Sequence, residues 1–266
     1  MYWLKGNFRF GMHDSMEREF TLTARLCGLE VVRQDSEIFG AVIPVGPERD
    51  RYARAVREGR RNGNKGGIVP DITVRNFPAS DGALPCTRIY DVKTFGHKEE
   101  WYGTAGGAKP VEQRDATISA EYERLARAAD VRHCGTPVGD DGPILHRLRE
   151  LAPVYGLVIG ANGEWSRGVD TFISDIAGVA CANPERFGCC QGPEQARGVI
   201  AAMARDRLGR IALRGAAQVR IAALSAVTGV RGRGPGPHAH GHRLQGTQDE
   251  WDRVRDNTHV PYSRDT

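Results

Sequence analysis

No stretch of this 266-residue chain approaches about eighteen consecutive apolar residues, so no helix is built to span a bilayer. The opening run Met1-Tyr2-Trp3-Leu4-Lys5-Gly6-Asn7 lacks the apolar core of a signal peptide, and the expected location is intracellular, in cytoplasm or nucleus. Six cysteines (Cys27, Cys86, Cys134, Cys181, Cys189, Cys190) follow no regular spacing, which excludes a disulfide framework. No Cys-x-x-Cys unit occurs, so a zinc site assembled from Cys181, Cys189 and Cys190 with His133 and Cys134, or with His238, His240 and His242, is not expected. The Gly-Lys-Ser/Thr signature of a phosphate-cradling loop is missing, and no Gly-x-Gly-x-x-Gly opens a helix after a strand. A nucleotide-driven motor is thereby excluded. Lysine is scarce beside arginine, and the formal net charge is only +4. That balance permits contact with a polyanion, arginine being the better phosphate fork, without requiring one.

What is present is patterned. Met16, Phe20, Ala24 and Cys27 recur at helical spacing, predicting a helix over His13–Cys27 that stops at Gly28. Leu29–Arg33 reads as a short strand. Residues 36–67 read as an insertion between strands, broken at Pro44, Gly46 and Pro47, with an arginine-rich helix over Glu48–Arg60. Alternating Ile72 and Val74 predict a strand over Ile68–Phe77, and a second strand follows over Thr87–Phe95. Val111, Ile118, Tyr122, Leu125 and Ala129 form one stripe of a helix over Val111–Val131. A short helix at Leu145–Leu151 precedes Val154–Ala161, the most apolar strand and suited to a sheet interior. Helices at Val169–Ala182 and Pro193–Val227 complete the ordered part. The expected architecture is an α/β domain over 1–182, with a mixed sheet between helical layers, a helical extension over 183–229 and a disordered tail over 230–266.

The residues that carry chemistry lie on the two middle strands. Asp91 and Lys93 are two apart, so their side chains share a face, and Asp71 on the neighbouring strand can reach the same spot. Two carboxylates and an ammonium group converging at a strand end are what phosphodiester cleavage needs. The carboxylates suit a hard divalent ion, and the lysine suits the developing negative charge or the attacking water.

Pro70-Asp71 and Asp91-Val92-Lys93, each in an apolar strand context, resemble the motif of the PD-(D/E)XK (restriction-endonuclease-like) nuclease superfamily. The element order α-β-β-β-α-β resembles the core of that family, over roughly His13 to Ala161. The resemblance implies Asp71 and Asp91 as ligands of Mg2+ or Mn2+, the Val92 carbonyl as a further ligand, and Lys93 as catalytic base or transition-state stabiliser. It also implies an acid from the first helix; Glu19 lies nearer the apolar face than Glu17 and is preferred to it. Gln113 and Arg114, in the first turn of the helix after Lys93, and His13 are candidates for contact with nucleic acid, although a structural, hydrogen-bonded role for His13 is the simpler reading.

The activity so implied is a metal-dependent endonuclease acting on DNA in preference to RNA. The Arg/Gly/Ala-rich composition resembles nuclease domains attached to retroelements, implying service to a mobile element, a phage or a repair system and membership of a larger polyprotein. A homodimer would suit cutting of both strands. Two alternatives stay open: a catalytically silent nucleic-acid-binding module of the same fold, and an unrelated soluble α/β protein. The arginines of the last helix (Arg197, Arg205, Arg207, Arg210, Arg214, Arg220) and Arg231-Gly232-Arg233 either track a phosphate backbone or serve solubility.

Overall fold

A computed structural model describes residues 7–62, 67–78, 84–94, 108–151, 153–160, 163–188 and 190–228. The loops around Gly63 and Gly106, Cys189, the tail histidines and Arg231-Gly232-Arg233 lie outside these residues. Four strands form one mixed, open sheet in the order β1 (Glu30–Arg33), β2 (Ile72–Phe77), β3 (Cys86–Thr94) and β4 (Tyr155–Ile159). β1 pairs antiparallel with β2 and β2 antiparallel with β3, whereas β3 and β4 are parallel. Seven helices are described: α1 (Asn7–Leu26), α2 (Glu37–Gly40), α3 (Pro47–Asn62), α4 (Ala108–Ala129), α5 (Pro143–Glu150), α6 (Arg167–Ala182) and α7 (Pro193–Thr228). The protein is therefore α/β, with strands and helices in the order read from the sequence.

Period-two alternation divides the strand side chains between two cores. Val31, Ile72, Val74, Tyr90, Val92, Leu157 and Ile159 face one layer, made by Met12, Met16, Phe20 and Ala24 of α1 together with α6 and α7. Ile89 and Val158 face the other layer, made by α2, α3, α4 and α5. The stretch read as an insertion lies between β1 and β2, and its described residues join the second core. Phe39, Ile43, Tyr52 and Val56 are buried in the second core, and the Tyr52 hydroxyl donates to the Ile68 carbonyl at 2.9 Å. In α7, Ile200, Ala204, Leu208 and Ala212 recur every four residues and enter the first core, so the helical extension packs into the same unit up to Ala222.

Local chemistry fixes the element ends. α1 stops at Gly28, whose φ of +85° is the left-handed conformation glycine adopts without penalty. Gly28 N–H donates to the Arg25 carbonyl and Leu29 N–H to the Ala24 carbonyl, the paired bonds of a glycine-terminated helix. β2 begins at Ile72, not Ile68, because Pro70 has no N–H for a ladder. After α4 the chain widens into a π-helical turn, Asp130–Cys134, which leaves the helix through Gly135 at φ +67°. This turn buries Asp130, whose carboxylate accepts from Ile144 N–H at 2.9 Å and Leu145 N–H at 3.0 Å, in place of a cap that Gly142 cannot supply. Similarly, Glu112 and Asp115 of α4 accept from the Arg167 and Gly168 amides at the start of α6.

Asp130→Ala would leave two buried amides without acceptors and is expected to cost roughly 2–3 kcal/mol of unfolding free energy. Urea denaturation measures this, and a loss below about 0.5 kcal/mol would show that water replaces the carboxylate.

Candidate active site

The β2–β3 register pairs Ile72 with Tyr90 and Thr73 with Ile89. Continued by one residue, it sets Asp71 opposite Asp91. Asp71 lies just outside β2, so its side chain is not held in the pleat, and its Oδ2 accepts from the Val92 amide at 2.8 Å. Its carbonyl accepts from Gln34 N–H at 2.9 Å, which ties this corner to the end of β1. The same register brings Pro70 opposite Val92. Proline has no N–H to donate to the Val92 carbonyl, which suits that oxygen to a ligand role.

Asp91 and Lys93 project from β3 toward α4. Asp91 is 1 % exposed and Lys93 17 %, and the Lys93 ammonium group pairs with Asp91 Oδ2. The other oxygen, Oδ1, accepts from the Tyr122 hydroxyl of α4 at 2.9 Å. Burial, reinforced by the charges of Asp91 and Asp71, pushes the Tyr122 phenol well above its ordinary range, so it remains a neutral donor. Asp91 is therefore held from two sides, by a phenol and by an ammonium group.

From the opposite layer, α1 brings His13 Nε2 to 3.3 Å from Asp71 Oδ2, while Nδ1 lies 3.4 Å from Asp14 Oδ1. Burial disfavours the imidazolium, but the bonds to Asp14 and Asp71 and the charges of Asp71 and Glu17 outweigh it and raise the pKa to about 10. Burial likewise works against the Asp71 carboxylate, and the His13 bond, the Lys93 and His13 charges and the Val92 amide overcome it, holding its pKa below the usual range. Two carboxylates and two cationic groups thus interlock around the end of β2.

The first-helix acid beside this cluster is Glu17, not Glu19. Glu17 is fully buried, and its Oε1 accepts from Arg33 Nε at 2.7 Å, at the end of β1. That bond, foremost, raises the Arg33 guanidinium above its ordinary range. Glu19 turns instead toward α7, where Arg207 lies 3.3 Å from its Oε1, and it also accepts a bond from Thr23. Both acids border the apolar stripe; Glu17 stands one turn from His13, and Glu19, preferred from the sequence, faces α7. Gln113 is exposed on α4, and Arg114 is engaged by Glu121 at 2.6 Å and Thr117 at 3.4 Å, an intrahelical arrangement with no bond to Asp71, Asp91 or Lys93.

Tyr122, Arg33 and Asp14 join the cluster without having been singled out in the sequence. Tyr122 was legible only as part of the apolar stripe of α4, which its ring indeed completes. Along α7, Arg205 faces Asp170, Arg207 faces Glu19 and Arg210 faces Asp206, so these three arginines are matched by acids. Among the described residues, the one group with metal-ligand spacing is His13, Asp14 and Glu17, and no cysteine takes part in it. No helix among them is long and apolar enough to cross a membrane.

Comparison with protein-family models, with curated proteins and with solved structures returns no match.

Arg33→Ala would leave the buried Glu17 carboxylate without its counterion and is expected to cost roughly 3 kcal/mol. Arg51→Ala, which breaks an exposed pair with Glu48, should cost under about 1 kcal/mol. Equal losses in chemical denaturation would mean that the Arg33–Glu17 pair is as weak as a surface contact.

Proposed function

We propose that this protein is a metal-dependent nuclease, hydrolysing phosphodiester bonds of DNA, with a core of the restriction-endonuclease-like type. The observation that carries the reading is that the β2–β3 register and the Asp71–Val92 and Lys93–Asp91 contacts bring Asp71, Asp91 and Lys93 together where β2 begins. With α2 and α3 inserted after β1 and α5 before β4, the remaining order α1-β1-β2-β3-α4-β4, with β3 and β4 parallel and α1 and α4 on opposite faces, accords with that fold.

The donor set fits a hard cation. It consists of carboxylate oxygens and one backbone carbonyl, with no thiolate, and in their present arrangement Lys93 and His13 supply positive charge to Asp91 and Asp71. Mg2+ or Mn2+ would be held by Asp71 and Asp91, with the Val92 carbonyl as a further donor; Glu17, bonded to Arg33, belongs to the first-helix group with His13 and Asp14. When bound, such an ion neutralises charge on the phosphoryl oxygens and lowers the pKa of water.

The chain's own groups account for the remaining requirements. Lys93 donates hydrogen bonds to the negative charge that develops on the scissile phosphate, or orients the attacking water. Tyr122 keeps Asp91 Oδ1 engaged and so fixes which oxygen faces the reaction. His13 and the Val92 amide do the same for Asp71. Lys93, Val92, Tyr122 and His13 all belong to helices and strands, which hold geometry better than loops. Service to a mobile element, a phage or a repair system, with cutting by a homodimer, extends the same reading.

Plasmid and single-stranded oligonucleotide cleavage in Mg2+ or Mn2+ tests it. Wild-type protein should cut, chelation should stop cutting, and Asp91→Ala and Lys93→Ala should each lower the rate at least about 100-fold while remaining folded. Cleavage that survives both substitutions would place the activity elsewhere. Retained DNA binding without cleavage by any form would favour a silent module.

A further inference from the structure

His13 and Glu17 stand four residues apart on α1, hence one above the other on the helix, with Asp14 beside His13. One ligand atom from each of the three lies within 4.8 Å of the other two. Small divalent ions bind at about 2.1 Å and hold adjacent donors roughly 3–4 Å apart, so modest side-chain rotation closes this triad on an ion. Three polar groups at a surface would carry little weight by themselves.

Glu17 supplies the second observation. It is fully buried, Arg33 occupies its Oε1, and its Oε2 has no hydrogen-bond donor among the described residues. A buried carboxylate oxygen without a donor costs on the order of 1–3 kcal/mol or more, and a cation shared with His13 and Asp14 offsets that cost.

We propose that His13, Asp14 and Glu17 form a cation site of their own on α1, which takes a first-row divalent ion and binds Mn2+ in preference to Mg2+. The imidazole decides the selectivity. Mg2+ favours oxygen donors and sheds its waters reluctantly, whereas nitrogen ligands suit the transition ions. His13 Nδ1 faces Asp14 and Nε2 faces Asp71. Nδ1 therefore gives its lone pair to the ion, its proton leaving to solvent, while Nε2–H donates to Asp71 and holds the ring in place. An ion on α1 thereby stiffens the Asp71 carboxylate. The assignment requires neither Asp91, Lys93 nor any phosphodiester chemistry, so it stands apart from the nuclease reading.

Electron paramagnetic resonance titration of the full chain with Mn2+, with Mg2+ as competitor, tests the site. Wild type and Asp91→Asn are both expected to retain an Mn2+ that a tenfold excess of Mg2+ does not displace. Asp14→Ala and His13→Gln should each weaken that binding at least about tenfold. Asp14 is exposed, so its removal leaves the fold intact even if a change at His13 does not. The His13 ring resonances should broaden on adding Mn2+. Unchanged affinity in Asp14→Ala and His13→Gln overturns the site, as does binding lost only in Asp91→Asn. Displacement by equimolar Mg2+ overturns the imidazole ligand. A chain that shows the expected pattern yet never cuts nucleic acid contradicts only the nuclease reading.

Discussion

The antiparallel register between β2 and β3 governs everything at the candidate site. Ile72 opposite Tyr90 places Asp71 opposite Asp91 and gives the Val92 amide to the Asp71 carboxylate. A slip of one residue would turn Asp91 and Lys93 into the layer of Phe20 and Phe172 and bring Tyr90 and Val92 out toward α4. Burial on both faces forbids that slip. Ile72, Val74, Tyr90 and Val92 fill one core while Ile89 enters the other, so hydrophobic free energy of order 10² kcal/mol across the domain holds a polar geometry it does not itself create.

Charge balance is the second constraint. Asp91, Asp71 and Glu17 are largely removed from water, and each is matched by a cation from a different element: Lys93 of β3, His13 of α1 and Arg33 of β1. Such pairs seldom add net stability, since desolvation consumes much of the attraction. They do fix position. Removing any one member leaves a charge uncompensated at a cost in stability, and the intact cluster is well suited to presenting carboxylates in a single arrangement.

The frame of this arrangement was readable in the sequence because period-two and period-3.6 patterns leave direct traces. Asp91 and Lys93 share a face by spacing alone, and the apolar run at Val154–Ala161 marked the strand that lies beside them. Other features depend on contacts between distant segments. The arginine-rich α3 hides its role in the second core, since among its described side chains only Tyr52 and Val56 are buried there. Glu17 and Glu19 border the same stripe of α1, and what separates them is where Arg33 and Arg207 lie, which no helical wheel contains. Tyr122 presents an apolar ring in sequence, and its hydroxyl gains meaning only once α4 is laid over Asp91. Nothing in the sequence marks Asp130, Glu112 and Asp115 as the caps of helices that begin at Pro143 and Arg167.

The proposed nuclease requires Asp71 and Asp91 to serve one cation beside Lys93. Anomalous diffraction from crystals grown with Mn2+ and a short oligonucleotide tests it most directly. A Mn2+ peak is expected to touch a carboxylate oxygen of both aspartates, with a phosphate oxygen on the same ion. Density that touches neither aspartate, or their carboxylates turned away from each other with no ion in common, would contradict it.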